Sequence, residues 1–163
     1  AGGSARQASA LLQFYRVAYG QAGRRVLTDT ARMAELADNF GTARRTRVAW
    51  SEDARWQTAS PDLAKLAMNM IALGGEALPR GGTLAVELGP DPAALPVVSA
   101  EGRDARLGEG NRAALAPDAD PGELTPYTVH AHFTARLAAV LGARLDAAEG
   151  GDGSVVLRAV AQS

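Results

Sequence analysis

Cysteine is absent from all 163 residues, which excludes disulfides, a thiolate nucleophile and any cysteine-ligated zinc or iron–sulfur centre. Histidine is nearly absent. His130 and His132 are the only two, and their i, i+2 spacing does not converge on one helix face as an i, i+4 metal pair does. Charge of either sign is also lacking in excess: 17 basic against 18 acidic residues leave a formal net charge of −1. A strongly basic nucleic-acid binder and an acidic disordered tail are thereby excluded. No run approaches the roughly 18 apolar residues that a membrane-spanning helix needs, and no charged-then-apolar leader is visible. The expectation is a soluble, cytoplasmic protein without membrane or nucleic-acid partners.

What is present is core material. Apolar residues make up 47% of the chain, enough for one domain of ordinary size plus a short appendage. Sixteen arginines stand against a single lysine, Lys65, and there are 35 alanines, a bias of the kind that GC-rich bacterial genomes produce.

Periodicity places the elements. Residues Arg6 to Gly20 read as an amphipathic helix with Leu11, Leu12, Phe14, Tyr15, Ala18 and Tyr19 apolar. Arg6, Ser9, Gln13 and Arg16 form its polar stripe. Ser4 is its expected N-cap and Gly20 or Gly23 its terminator. A second helix is predicted from Asp29 to Phe40, with Met33, Leu36, Ala37 and Phe40 on one face and Gly41 just past the end. Arg45 to Ser51 alternates like a half-buried strand. Ser60-Pro61-Asp62 is the strongest helix start: a capping hydroxyl, a proline suited to the first turn, and a carboxylate at the positive end of the dipole. That helix runs to about Leu78, where Pro79-Arg80-Gly81-Gly82 turns the chain. Thr83 to Leu88 and Leu95 to Ala100 read as strands, and 102–122 as a loop holding one poor helix. Thr125-Pro126 repeats the cap-then-proline signal before a helical face of Val129, Phe133, Leu137, Val140 and Leu141. Ala143 to Glu149 and Ser154 to Ala161 form a closing hairpin.

The resulting order fits an α+β chain whose main body is an α/β sandwich with helices on one face of a mixed sheet. Within it, Leu66-Ala67-Met68-Asn69-Met70-Ile71 and Ala77-Leu78-Pro79-Arg80-Gly81-Gly82-Thr83-Leu84 resemble the N-box helix and following turn of histidine-kinase ATP-binding domains. Val129 to Val160 is similar to the last helix and closing hairpin of that fold. The helix Ala8 to Gly20 and the segment Leu124-Thr125-Pro126-Tyr127-Thr128-Val129 narrow the resemblance to ChpT-like histidine phosphotransferases of alphaproteobacteria, and it covers nearly the whole chain. The resemblance implies that residues 1–23 are the second helix of a dimerising phosphotransfer hairpin, and that 24–163 form a degenerate kinase-type ATPase-like domain. It implies a homodimer that passes phosphoryl groups, in a cell-cycle phosphorelay, from the receiver domain of a hybrid histidine kinase to a CtrA-type response regulator. No cofactor is implied, since the receiver supplies Mg²⁺.

The residues themselves argue against nucleotide binding. Asn69 fills one polar N-box slot, but one turn later Leu73 stands where a second asparagine would hold Mg²⁺. After the strand Leu95 to Ala100, Ser99-Ala100-Glu101-Gly102-Arg103 keeps one glycine. Where a Gly-x-Gly loop would cover the triphosphate, the chain has Thr125-Pro126-Tyr127-Thr128: proline lacks the N–H and tyrosine is expected to fill the space. Asn69 is then read as a satisfied helix residue.

Neither histidine suits a phosphoryl acceptor, because neither has a carboxylate at i+1, i+3 or i+4. His130 is expected to be partly buried and His132 solvated. No catalytic residue is therefore assigned within this sequence. The acceptor histidine is expected upstream of Ala1, on the first hairpin helix. Ser9, Gln13 and Arg16 are the candidate partner-binding residues, with Arg6 at their edge. Leu11, Tyr15 and Ala18 would pack in the hairpin or cover their own domain. Arg44, Arg45 and Arg47 read as strand-edge protection, and Trp50 and Trp56 as core. The alternative function is a non-catalytic module that binds or sequesters a response regulator.

Overall fold

The computed structural model describes residues 2–20 and 29–162. Gly23 and the 23/24 domain boundary lie outside them. Five strands form one sheet in the order β1-β2-β3-β5-β4: β1 (Thr46–Trp50), β2 (Gly82–Leu88), β3 (Pro96–Glu101), β4 (Ala143–Gly150) and β5 (Ser154–Ala161). Among the described residues only β1 and β2 pair in parallel, with Val48 opposite Leu84, and the helix α3 (Pro61–Glu76) makes the crossover between them. The other pairings are antiparallel, setting Val86 against Val98, Val98 against Leu157, and Ala147 against Leu157.

Strict alternation decides which face of β2 is covered. Leu84, Val86 and Leu88 are buried while Thr83, Ala85 and Glu87 are exposed. Over that inner face lie α3, α5 (Val129–Val140) and α2 (Thr30–Ala43), with α4 (Glu109–Leu115) beside α5. The helix α1 (Gly2–Tyr19) packs on α2 and α3. Helices on one side of a mixed sheet is the predicted architecture. Among the described residues no helix is long and apolar enough to cross a membrane.

The start of α3 behaves as read. Ser60 accepts from the Leu63 N–H at 3.1 Å, with Pro61 in the first turn. Asp29 is itself the N-cap of α2, accepting from the Arg32 N–H at 3.2 Å.

Several expectations need correction. The helix α1 begins at Gly2, so Ser4 lies inside it. The helix α2 continues through Gly41 to Ala43. Gly41 is not a terminator; any Cβ there would collide with the Thr46 carbonyl and Val48, so glycine is what lets β1 lie against the helix. The helix α5 starts at Val129, and its N-cap Thr128 makes no side-chain capping bond; Thr125-Pro126 belongs to the preceding turn. The face predicted for α5 is only partly the one it buries: Leu137 and Leu141 pack against the core, but the two valines do not. Val129 and Val140 are 50% and 70% exposed, whereas Ala131, Thr134 and Ala138 are fully buried. The helix is wedged between α3, α4 and β4, and small side chains permit that close approach. Leu12 is likewise 65% exposed rather than in the apolar face of α1.

Candidate functional site

The polar stripe of α1 is a surface. Arg6, Ser9, Gln13 and Arg16 are all exposed, and Gln13 Nε2 donates to Ser9 Oγ at 3.4 Å. Arg6, Gln7, Ser9, Ala10 and Gln13 form one wall of a groove of about 340 Å³; Asn39, Thr42 and Ala43 of α2 form the other. Its lining carries a single charge, Arg6, among amides and hydroxyls. Ser9 and Gln13 thus meet in the groove, while Arg16 stands outside it.

The opposite side of α1 belongs to the core of its own domain. Phe14 and Ala18 are fully buried. The Phe14 ring stacks on Phe40 at 4.2 Å, and Tyr15 meets Phe40 edge-on at 5.8 Å. Arg44 is not simply edge protection. It donates to the Tyr15 hydroxyl at 2.9 Å and lies 5.3 Å from the Phe40 ring centroid, tying the end of α2 to α1. Arg47, on the edge strand β1, is exposed as expected. Trp56 is buried, its ring 4.8 Å from that of Trp50.

Where α1, α3 and α5 converge, Asn69 is fully buried and fully engaged. Its Nδ2 donates to the carbonyls of Ala18 at 2.8 Å and Lys65 at 2.9 Å, leaving Oδ1 to accept from His130 Nε2 at 3.1 Å. His130 Nδ1 faces Glu76 Oε1 at 3.5 Å. The Tyr19 ring lies edge-on to His130 at 5.5 Å, and burial, followed by Tyr15 and Glu76, pushes its phenol well above the usual tyrosine value. Sequence reasoning had a satisfied Asn69 and a part-buried His130. It missed that they meet each other, and that Glu76 of α3 comes within 3.5 Å of His130 Nδ1, which makes no hydrogen bond. No local signal could reveal this, since 61 residues separate Asn69 from His130.

His132 corrects its expectation: it is half-buried and its Nδ1 is inaccessible, beside Arg136 and Leu115 in a cavity of about 210 Å³. Tyr127 also departs from its reading. It is 87% exposed and fills nothing. The segment closes on itself instead. The Thr125 N–H donates to Thr128 Oγ1 at 2.9 Å, the Tyr127 N–H to Thr125 Oγ1 at 3.2 Å, and the Thr128 and Val129 N–H groups to the Thr125 carbonyl at 3.0 Å. Gly102, the surviving glycine after β3, donates to the Gly153 carbonyl at 3.0 Å, and a Cβ there would collide with the Gly81 carbonyl. Packing of turns explains it.

Residues 30–153 match the histidine phosphotransferase C-terminal domain family. The chain belongs to that family. Protein phosphotransferase ChpT of Brucella abortus (strain 2308) is 35% identical over 145 residues, covering 87% of this chain and 68% of that protein. A bacterial phosphotransferase solved at 1.7 Å superposes with a TM-score of 0.76 at 29% identity, over 98% of this chain and 76% of that one. The resemblance read from the N-box helix, the 124–129 segment and α1 is therefore correct, and this is a ChpT-like phosphorelay histidine phosphotransferase. In this histidine phosphotransferase the N-box position has become an internal tie between helices.

Proposed function

We propose that this histidine phosphotransferase relays phosphoryl groups between receiver domains of two-component proteins without binding nucleotide, and that the α1 stripe of Ser9, Gln13 and Arg16, edged by Arg6, is where a receiver docks. The observation that carries the nucleotide-free part is the state of Asn69. Both its donors and its acceptor are committed to Ala18, Lys65 and His130, and Leu73 one turn later is buried and apolar. With the Thr125–Thr128 donors spent within their own turn, the residues at these positions do not fit a magnesium nucleotide. Phosphoryl exchange between histidine and aspartate needs less from this protein: the receiver brings the acidic site and its Mg²⁺, and the phosphotransferase brings an imidazole and a surface that holds the two in line.

The acceptor imidazole, on this reading, belongs to a helix preceding α1. His130 has Nε2 committed to Asn69 and only 12% of its side chain exposed, and His132 has its Nδ1 buried; neither can reach a receiver aspartate. A homodimer, with the hairpins of two protomers in one bundle, is the assembly that the family resemblance suggests. A hybrid histidine kinase receiver and a CtrA-type regulator are the partner classes that the family resemblance suggests.

The test uses the full-length protein incubated with a phosphorylated receiver. Acid-labile, base-stable label should appear on a histidine, and Arg16→Glu should raise the receiver Kd by at least about tenfold, as loss of an interface arginine does. Arg103→Glu, exposed beyond β3, should leave it unchanged. Receiver binding without label would point to the sequestering module. Label with unaltered affinity in Arg16→Glu would remove the stripe from the interface.

A further inference from the structure

The last carbonyls of a helix have no partner within it. That of Ala18, in the final turn of α1, is buried and accepts from a side chain 51 residues away, Asn69 of α3. The geometry also fixes how Asn69 is oriented. Its two Nδ2 hydrogens go to two carbonyls, so Oδ1 must face His130, and His130 must carry its proton on Nε2. His130 Nδ1 is then turned to Glu76, at the C-terminal end of α3. Tyr19 closes the outer side, edge-on to both His130 and Phe133 at 5.5 and 5.8 Å.

We propose that Asn69 is a positioning residue for phosphotransfer: it caps the C-terminal turn of α1 from outside and locks that helix to α3 and α5, so that the docking stripe is presented at one fixed orientation to the domain. The inference rests on the stripe being the receiver surface, as set out above. The rigid path is short. Ser9, Gln13 and Arg16 lie within three turns of Ala18 on one continuous helix, and Asn69 holds its end at two points, through Ala18 directly and through His130 and Tyr19. A helix held only by its apolar face could slide or roll on the ring stack of Phe14 and Phe40; a buried carbonyl that must keep one donor cannot.

Two readouts separate this role from general structural support. In the full-length protein, Asn69→Ala should raise amide exchange across residues 9–19 by about tenfold or more while β2, β3 and β5 keep their protection. Unchanged protection in α1 overturns the proposal whether or not the protein is a phosphotransferase. In the same variant, loading of the acceptor histidine by phosphoramidate, a small donor that needs no docking, should be unaltered, whereas KM for the receiver should rise on the order of ten- to a hundredfold. Proportional loss of both rates would mean mere loss of folded protein and would also overturn it. If the unsubstituted protein transfers no phosphoryl group, the phosphotransferase reading fails and the exchange experiment still decides the clamp. Should Asn69→Ala not fold, His130 provides the second pair. Gln can donate to Asn69 Oδ1 from the place of Nε2 and Phe cannot, so His130→Gln should keep the wild-type KM and His130→Phe should not; equal behaviour of the two overturns the proposal.

Discussion

Gly41 and Gly75 both sit in helices and both are buried, yet their backbones face different surroundings. At Gly41 a Cβ would run into the Thr46 carbonyl, part of the strand itself, and that backbone cannot yield without moving β1. At Gly75 the nearest atoms would be Phe40 Cε1 at 3.5 Å and Cζ at 3.6 Å, ordinary contact. Gly41→Ala should therefore destabilise by about 1–3 kcal/mol, and Gly75→Ala should stabilise by about 0.4–1 kcal/mol through the unfolded chain's lost freedom. Paired denaturant unfolding curves check both, and a shared sign would contradict the contrast. The same scale shows why Asn69 was legible as a satisfied residue but its partners were not. An amide in an otherwise apolar helix run must be hydrogen-bonded if buried, and the sequence says nothing of which distant carbonyl and ring will meet it.

At the scale of elements, α4 is a short helix with Gly108 before it and no side-chain cap. It is held from across the fold. Glu149 on β4 accepts from the Leu107 N–H at 2.7 Å, and Arg112 lies 3.5 Å from the same oxygen and donates to the Ala147 carbonyl at 2.9 Å. The Leu107 hydrogen bond, with help from Arg112, holds the Glu149 carboxyl below the usual carboxylate range. A depressed folded value means that this tie is fully present above the ordinary glutamate value of about 4.3 and is lost as pH falls through the lower folded one. Amide protection of 107–115, relative to the intrinsic exchange rate at each pH, should fall selectively on acidification, and Glu149→Gln should flatten that dependence. Equal pH response in the variant would remove Glu149 as its source. In the sequence this region read as a loop with one poor helix, and that is what local chemistry alone supports; the tie that orders it is 42 residues away.

For the whole molecule, the consequential finding is that α1 is part of the domain. Phe14 has no exposed surface, stacks on Phe40 and meets Tyr15 edge-on. Phe14→Ala should cost about 3–5 kcal/mol, as large-to-small core substitutions do, measured as a shift of the single denaturant midpoint. A loss below about 1 kcal/mol would make α1 an appendage on the surface. Such integration couples the surface that would meet a partner to the core beneath it. The sequence by itself determined the element order, the α3 cap at Ser60, the alternation of β1 and β2, the exposed stripe on α1 and the family, because each is written in spacing of 2, in 3.6-residue periodicity or in contiguous motif residues. Only the tertiary structure decided that α5 buries its alanines rather than its valines, that Gly41 continues a helix, that Tyr127 faces solvent, and that Asn69, His130 and Glu76 meet beside Ala18. Those outcomes depend on which surfaces arrive within a few ångströms of each other, and such approach is set by packing across dozens of residues that no local pattern records.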